Sequence, residues 1–389
     1  MALRPEVYLD NNATTEPLPE VREAVAQVLS SGPLNPSSVH SQGDRARRFL
    51  KTARAQVADL VRSDAANVVF TSGATESNHL VLVNLLTGGF QGFRFVTTAT
   101  EHSSIREAVR SLEQAGVNVT LLPVGADGRV DALAVGEAID PGRTLVSVHW
   151  ANNETGVLQP LEDIAEVCRE RGAVLHSDAV QAVGKIDVDL RRVPVDLLSL
   201  SGHKLHGPLG VGAIVARDPS RLRTVLPGGG QEAGVRPGTE NLPAIVGFGT
   251  ACALRQERWL DVALHTLALR DGFEARLSEA GVIEDVAGAD VPRLPNTSNV
   301  RFTRVDGEAL LLRLDQAGVC CSQGSACTNR KPEPSYVLRA MGRSEEEAFR
   351  CLRFSFSEFN TEEEVQVAID ELVRLHAQLS TFFTEHPVG

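Results

Sequence analysis

The sequence predicts an α/β protein in which a large domain is built on a mostly parallel mixed sheet and a smaller domain is α+β. Short apolar runs alternate with helical patterns through the first two thirds of the 389 residues. These runs are apolar throughout, as in strands that helices cover on both faces. A Gly- and Pro-rich stretch at 226–239, followed by a long helical pattern, then indicates a change of architecture.

The predicted strands of the large domain are short and rich in Val, Leu, Phe and Thr. In chain order they are 67–71, 93–98, 117–124, 144–150, 173–177 and 195–201. Helical patterns begin at about Thr75 and near Ser103 and separate the first of these strands. Strands that alternate with helices favour parallel pairing, because each connection crosses back over the sheet.

The remaining elements follow the Gly- and Pro-rich stretch. A helical pattern runs from about residue 240 toward 280, strands are predicted at 297–302 and 351–356, and the last helix is predicted at 362–379. We therefore expect a large domain over 16–260. The small domain is expected to combine 1–15 with 261–389 and to carry a polar loop at about 322–335.

Composition and charge exclude several classes of function. The net charge of -12 argues against nucleic acid or an acidic membrane face as a partner. No apolar run approaches the ~20 residues that span a bilayer, and the N-terminus shows no signal peptide, so a cytoplasmic protein is expected. Six cysteines are too few for a disulfide scaffold, but three of them crowd into 320–327, which indicates chemistry.

Polar residues follow the predicted strands at the points where the strands end. In open α/β sheets this carboxyl edge is where ligands bind. Five separate segments contribute to it: 72–75, 101–102, 152–154, 178–181 and 201–204. Their convergence predicts one ligand site at this edge.

Lys204 is one of only four lysines, and it follows the strand at 195–201 on a compact loop. Lysine is the side chain that forms Schiff bases with carbonyl cofactors. A surface lysine is the alternative for any isolated residue of this type. The neighbouring strand ends favour a lysine that binds pyridoxal 5′-phosphate (PLP).

The other strand ends match what PLP requires. The turn at 72–75 offers backbone N–H groups and a helix N-terminus to a phosphate, although a simple helix cap is the alternative. Asp178 is placed to pair with a protonated pyridine nitrogen, or else to cap a helix. Asn153 and Gln181 suit the phenolic oxygen of the ring. His102 suits stacking or proton transfer, or a structural role.

Cys327 lies in a polar, proline-broken segment, 322–335, where a thiol can be accessible and mobile. Free cysteine has a pKa of about 8.5, which nearby positive charge lowers. Cys320 and Cys321 end an apolar run, so they are interpreted as a strand end; the rival hypothesis is a metal site with Cys327. The other three cysteines fit buried positions: Cys168, Cys252 and Cys351.

Seven motifs in this order resemble the class V aminotransferase-type PLP enzymes, and in particular the cysteine desulfurases of the NifS/IscS group. They are LDNNATT, TSGATESN, TEHSS, ANNETG, HSDAVQ, SGHKLHGP and CSQGSACT, and the resemblance runs from Tyr8 to about Asn360. It implies the PLP-dependent transferase fold type I.

The resemblance also implies roles for individual residues. The catalytic ones are Lys204, Cys327 and His102. The cofactor-binding residues are Ala74, Thr75, His102, Asn153, Asp178, Gln181, Ser201, His203, Lys204 and Thr239. Thr239 is expected to reach the phosphate of the partner subunit in a homodimer. Arg353 is expected to bind the substrate carboxylate, with Asn35 assisting, and no metal is expected.

The implied reaction removes sulfur from L-cysteine, releases L-alanine and leaves a persulfide on Cys327. A sulfur-acceptor protein such as an iron–sulfur scaffold is the expected partner. A selenocysteine lyase or another PLP-dependent aminotransferase or lyase is the alternative within the fold, and the loop cysteine argues against a transaminase. A sulfur- or metal-carrying scaffold without PLP is the non-enzyme alternative, which Lys204 and the strand-end motifs disfavour.

Overall fold

The computed structural model describes residues 7–224, 226–324 and 333–385, with side chains up to residue 380. Its main sheet has seven strands in the order β2-β8-β7-β6-β5-β3-β4. They are β2 (Val68–Thr71), β3 (Arg94–Thr98), β4 (Val119–Leu122), β5 (Thr144–Ser147), β6 (Val174–Asp178), β7 (Leu197–Ser201) and β8 (Gly212–Ala216). β8 pairs antiparallel with both of its neighbours, and the other pairs are parallel. The predicted mostly parallel mixed sheet is therefore confirmed.

Adjacent strand residues point to opposite faces of this sheet, and both faces are apolar. Val96 and Leu175 belong to the core on one face, whereas Phe95 and Val174 belong to the core on the other. Helices cover both faces. They are α1 (Pro19–Leu29), α2 (Ser41–Leu60), α3 (Ala74–Thr87), α4 (Ser103–Gln114), α5 (Ala132–Ala138) and α6 (Leu161–Arg171). The continuous apolar runs of the sequence reflect this double cover.

A second, smaller core lies in the C-terminal third of the chain. Its antiparallel sheet has the order β12-β10-β9, and a two-stranded parallel pair joins β1 to β11. The strands are β1 (Val7–Tyr8), β9 (Ile283–Val286), β10 (Thr297–Phe302), β11 (Val319–Cys320) and β12 (Cys351–Ser355). The helices are α8 (Gly307–Gln316), α9 (Tyr336–Ala340), α10 (Glu345–Phe349) and α11 (Glu362–Glu385).

One helix, α7 (Leu242–Glu279), passes from the first core to the second. Phe248 packs in the core of the large sheet, and Phe273 packs with the small sheet. The proposed boundary at 260/261 falls inside this helix. The division into 16–260 and 1–15 plus 261–389 stays a prediction.

The cysteines of the described residues lie where the sequence predicts them. Cys168, Cys252 and Cys351 are buried, as predicted. Cys320 lies in β11 with Cys321 directly after it, which is the predicted strand end. Within the described ranges, no helix is long and apolar enough to cross a membrane.

Candidate active site

The carboxyl ends of β2, β3, β5, β6 and β7 open into one cavity of about 420 Å³. Residues from all five predicted strand-end segments line it, together with Arg353 from β12. The parallel strands bring these residues together, because their carboxyl ends meet at one edge of the sheet. The cavity therefore lies where the sequence predicts a ligand site.

Lys204 is the last residue of a short 3₁₀ turn, Gly202–Lys204, that follows β7. Its Nζ donates hydrogen bonds to the backbone oxygens of Asn12, at 2.6 Å, and Ala13, at 2.7 Å. The side chain is thus held at the cavity wall by the segment after β1. The sequence analysis did not assign Asn12 to the site.

One end of the cavity is suited to an anion. α3 begins at Ala74, directly after Gly73, and the first-turn N–H groups of a helix have no partner inside the helix. Gly73 is the N-cap residue of α3, and no side chain caps the helix, so the turn leaves its first N–H groups available to a ligand. A Cβ at Gly73 would meet nothing within 4 Å, which leaves open space beside the turn. Ser201 and His203 line the same cavity.

His203 is partly buried, and its Nδ1 lies 3.1 Å from Thr14 Oγ1. Burial, with the positive charges of Lys204 and Lys185, lowers the pKa of His203 to about 4. The ring is therefore neutral near pH 7 and can donate or accept a hydrogen bond.

Asp178 is the last residue of β6 and supplies a buried carboxylate to the cavity. Its Oδ2 accepts a hydrogen bond from Asn78 Nδ2 at 2.8 Å, and its Oδ1 accepts one from the Val180 N–H at 3.1 Å. A turn, not a helix, follows at 179–185, so the helix-cap alternative is wrong. A buried carboxylate that two donors hold in place can accept a hydrogen bond from a protonated ring nitrogen.

His102 precedes α4 and caps it, because its Nδ1 accepts a hydrogen bond from the Ser104 N–H at 3.2 Å. Ser104 Oγ also lies 2.9 Å from the same Nδ1. Burial lowers the pKa of His102; the negative charge of Asp178 opposes this effect, and the positive charge of Lys204 adds to it. His102 therefore has both positions that the sequence left as alternatives: it caps a helix, and it lines the cavity.

Arg353 lies in the middle of β12 and is buried to 2 % exposure. Its Nη2 pairs with Asp10 Oδ1 at 2.6 Å, and its Nη1 donates to Asn153 O at 3.1 Å. Its buried Nε has no hydrogen-bond partner among the described residues. A fixed guanidinium that lines the cavity suits a carboxylate ligand.

Gln181 and Lys185 form a polar wall behind Lys204. Lys185 Nζ donates to Gln181 Oε1 at 2.6 Å and to Asn12 Oδ1 at 2.9 Å. Gln181 Nε2 donates to Asn12 O at 3.0 Å, the same oxygen that Lys204 uses. Burial and the charge of Lys204 lower the pKa of Lys185 well below its usual value. The sequence analysis singled out Gln181 but not Lys185.

The cavity gathers most of the predicted site. Lining it are Ala74, Thr75, His102, Asn153, Asp178, Gln181, Ser201, His203, Lys204 and Arg353. Asn35 and Thr239 are exposed and are not among the lining residues, so their roles stay predictions. Cys327 lies outside the described residues. The metal site that it would share with Cys320 and Cys321 therefore stays a hypothesis.

The described residues on either side of 325–332 are hydrogen-bonded to cavity-lining residues or to their neighbours in the chain. On one side, Ser322 exchanges backbone hydrogen bonds with Arg353 at 3.1 and 2.7 Å. On the other, Ser335 Oγ is hydrogen-bonded to the buried carboxylate of Glu154, and Tyr336 Oη donates to Glu101 O at 2.7 Å. Both ends of the segment that carries Cys327 are therefore fixed beside the site.

The chain belongs to the aminotransferase class-V family, whose model matches residues 7–367. A cysteine desulfurase of Trichormus azollae is 40 % identical over 379 residues, which cover 97 % of this chain and 95 % of the relative. A NifS-like protein of known structure has a TM-score of 0.89 at 33 % identity, covering 96 % of this chain and all of the other. The structure of SspA in complex with cysteine has a TM-score of 0.79 at 35 % identity, covering 91 % and 99 %.

These similarities confirm the predicted resemblance and the fold type. Enzymes of this family use PLP, so PLP is the cofactor of this chain. The residues present fit it: an anion cradle at the start of α3, a buried carboxylate at Asp178 and Lys204 all line the same cavity.

Proposed function

We propose that the chain is a PLP-dependent cysteine desulfurase that transfers sulfur from L-cysteine to Cys327 and releases L-alanine. The observation that carries this proposal is that the described residues on both sides of 325–332 are hydrogen-bonded to Arg353, which lines the Lys204 cavity, and to Glu154, the neighbour of the lining residue Asn153. The desulfurase relatives and the cysteine-bound structure of SspA support the choice of substrate.

Each end of the cofactor has a place in the cavity. The first turn of α3, with Ser201 and His203, would hold the phosphate. Asp178 would pair with the ring nitrogen, Asn153 and Gln181 would bond the ring oxygen, and Lys204 would hold PLP covalently through Nζ. PLP bound there supplies an electron sink for bonds to the substrate Cα.

Arg353 would bind the substrate carboxylate and so orient the substrate thiol toward the cavity opening. Its guanidinium is fixed by Asp10 and Asn153 O before substrate arrives. Pre-ordering of this kind lowers the entropic cost of placing the reacting atoms. Lys204 and His102 are the cavity groups that can move protons at the substrate carbons.

The Cys327 thiolate would attack the substrate sulfur. A sulfur–sulfur bond forms, the carbon–sulfur bond breaks, and its electron pair stays with carbon, which gains a proton to give alanine. Burial raises the pKa of Cys321, which makes that thiol a poor substitute nucleophile.

We propose a homodimer in which Thr239 contacts the phosphate of the partner's cofactor. Thr239 is exposed on the Gly- and Pro-rich segment, where a second subunit can approach. A sulfur-acceptor protein, such as an iron–sulfur scaffold, would then take the sulfur from Cys327.

The test is an assay of sulfide and alanine from L-cysteine in the presence of a thiol reductant. Cys327→Ser should keep the wild-type absorbance of bound PLP but form no sulfide, whereas Cys320→Ser should stay close to wild type. Lys204→Ala should lose the wild-type absorbance. Equal sulfide release by Cys327→Ser would refute the proposed nucleophile, and an unchanged spectrum of Lys204→Ala would refute the cofactor lysine.

A further inference from the structure

A chain of hydrogen bonds joins His102 to Asp178, the residue proposed to pair with the ring nitrogen of the cofactor. Asn78 Nδ2 donates to Asp178 Oδ2 at 2.8 Å and lies 2.9 Å from Ser104 Oγ. Ser104 Oγ lies 2.9 Å from His102 Nδ1. Asn78 is fully buried and Ser104 is 8 % exposed, so water does not compete freely for these bonds.

The charge of Asp178 fixes the direction of every bond in this chain. An ionised carboxylate only accepts hydrogen bonds, so the amide of Asn78 must turn its Nδ2 toward Asp178. The second Nδ2 proton is then donated to Ser104 Oγ. The Ser104 hydroxyl proton is left for His102 Nδ1.

His102 Nδ1 therefore faces two donors, the Ser104 hydroxyl and the Ser104 N–H. A ring nitrogen that accepts hydrogen bonds carries no proton, so the neutral ring carries its proton on Nε2. A proton on Nδ1 would leave the Ser104 N–H without its acceptor and would require the hydroxyl to turn away. The imidazolium form is disfavoured by the same contacts.

We infer that Asn78 and Ser104 are positioning residues that hold His102 in its Nε2–H tautomer, so that the neutral ring offers the cavity it lines a hydrogen-bond donor and no basic nitrogen. This inference rests on the proposed function for the identity of the reaction in which that hydrogen bond is used. It narrows the acid/base role of His102 to that of a hydrogen-bond donor in the resting enzyme, and it leaves Lys204 as the cavity base.

The charged and titratable groups around His102 are consistent with a neutral ring. Burial lowers the pKa of His102, as do the positive charges of Lys204 and His149. Asp178 and Glu101 act in the opposite direction. The Glu101 carboxylate is itself engaged by Thr98 Oγ1 at 3.0 Å and by His149 Nδ1 at 3.1 Å.

The test is ¹⁵N NMR of the PLP-loaded enzyme labelled only at histidine, with His102 assigned by comparison with His102→Gln. We expect the Nε2–H tautomer from pH 6 to 8 in the wild type. Ser104→Ala removes one donor to Nδ1, so the measured pKa of His102 should rise by about 0.5 unit or more. Ser104→Thr keeps the hydroxyl and should restore the wild-type value.

A proton on Nδ1 of the neutral wild-type ring would overturn the inference, and so would an unchanged pKa of His102 in Ser104→Ala. Asn78→Leu gives a second measurement, because its loss frees the Ser104 hydroxyl to accept and should also raise the pKa of His102. None of these readings depends on sulfide release. Failure of the desulfurase assay is thus distinguishable from failure of the tautomer assignment.

Discussion

At the scale of single residues, Arg353 shows how the fold prepares a binding group. A buried guanidinium is unfavourable unless it is paired, and Asp10 supplies the pair at 2.6 Å. The backbone oxygen of Asn153 takes a second donor, at 3.1 Å. The planar group is thereby locked in one orientation at the cavity that it lines.

Arg353→Lys should raise the KM for L-cysteine about tenfold or more, with a smaller effect on kcat. The ammonium keeps the charge but loses the fork that binds a carboxylate through two bonds. Steady-state kinetics of sulfide release, with PLP content verified by absorbance, measures both constants. A fall in kcat at unchanged KM would argue against the carboxylate-binding role.

Individual residues were predictable where one local rule applied. The strand-end rule placed Lys204, Asp178 and His102 at one edge, and the structure puts all three in the cavity. Asn12 and Asn78 were missed, although both stand in motifs that the sequence analysis quoted. Their importance depends on bonds to residues far along the chain, which no local pattern reveals.

At the scale of elements, β8 supports the anion cradle by lying very close to the turn that precedes α3. A Cβ at Gly212 would meet Leu200 O at 2.5 Å and Gly73 Cα at 2.7 Å. These contacts are backbone atoms, which cannot turn aside as a flexible side chain can. Only glycine at position 212 lets β8 pair with both β2 and β7 and lie against the turn.

Gly212→Ala should weaken PLP binding and lower the Tm, because the added methyl group forces β8 away from the turn. The matched control is Gly272→Ala in α7, where a Cβ meets nothing within 4 Å. The control should be neutral or stabilising by about 0.5–1 kcal/mol, as expected when alanine replaces glycine in a helix. Fluorescence titration with PLP and thermal unfolding measure the two effects. Equal behaviour of the two variants would contradict the proposed close approach.

Strands and helices were predictable where they alternate along the chain, and less so where they do not. The strands and helices near the site were placed within a few residues, whereas β8 was not predicted. Its five residues, GAIVA, are separated from Pro208 by three residues, and no α-helix separates them from β7, so the alternation of strands and helices does not predict this strand. The segment at 226–239 was expected to be irregular. Its left-handed Glu232 (φ 49°) is fixed by a salt bridge to Arg54 at 2.6 Å.

At the scale of the whole molecule, the cavity lies between the large sheet and residues of the smaller core. Asp178 and Lys204 come from the large sheet, whereas Arg353 comes from β12. α7 packs against both cores, which fixes their spacing. The sequence indicated a change of architecture at 226–239, whereas α7 runs without interruption from one core to the other.

Buried neutral histidines make the stability of the whole molecule depend on pH. His176 is fully buried in β6, with Ser147 Oγ 2.8 Å from Nδ1 and Ser199 Oγ 3.0 Å from Nε2. Burial lowers the pKa of His176 to about 4, and burial lowers that of His206 to about 3. An unfolded chain takes up these protons near pH 6.5, so it binds more protons than the folded chain below that pH.

Stability should therefore fall as the pH falls from about 6.5 toward 4, and His176 alone should account for about 3 kcal/mol over that window. His176→Gln removes the titrating ring but keeps an amide that can bond the two serines. Its Tm should consequently drop less than that of the wild type between pH 7 and pH 5. The exposed His79→Gln serves as the control and should follow the wild type. Thermal unfolding at constant ionic strength and saturating PLP makes the comparison, and parallel curves for His176→Gln and the wild type would show that His176 already carries its proton in the folded protein.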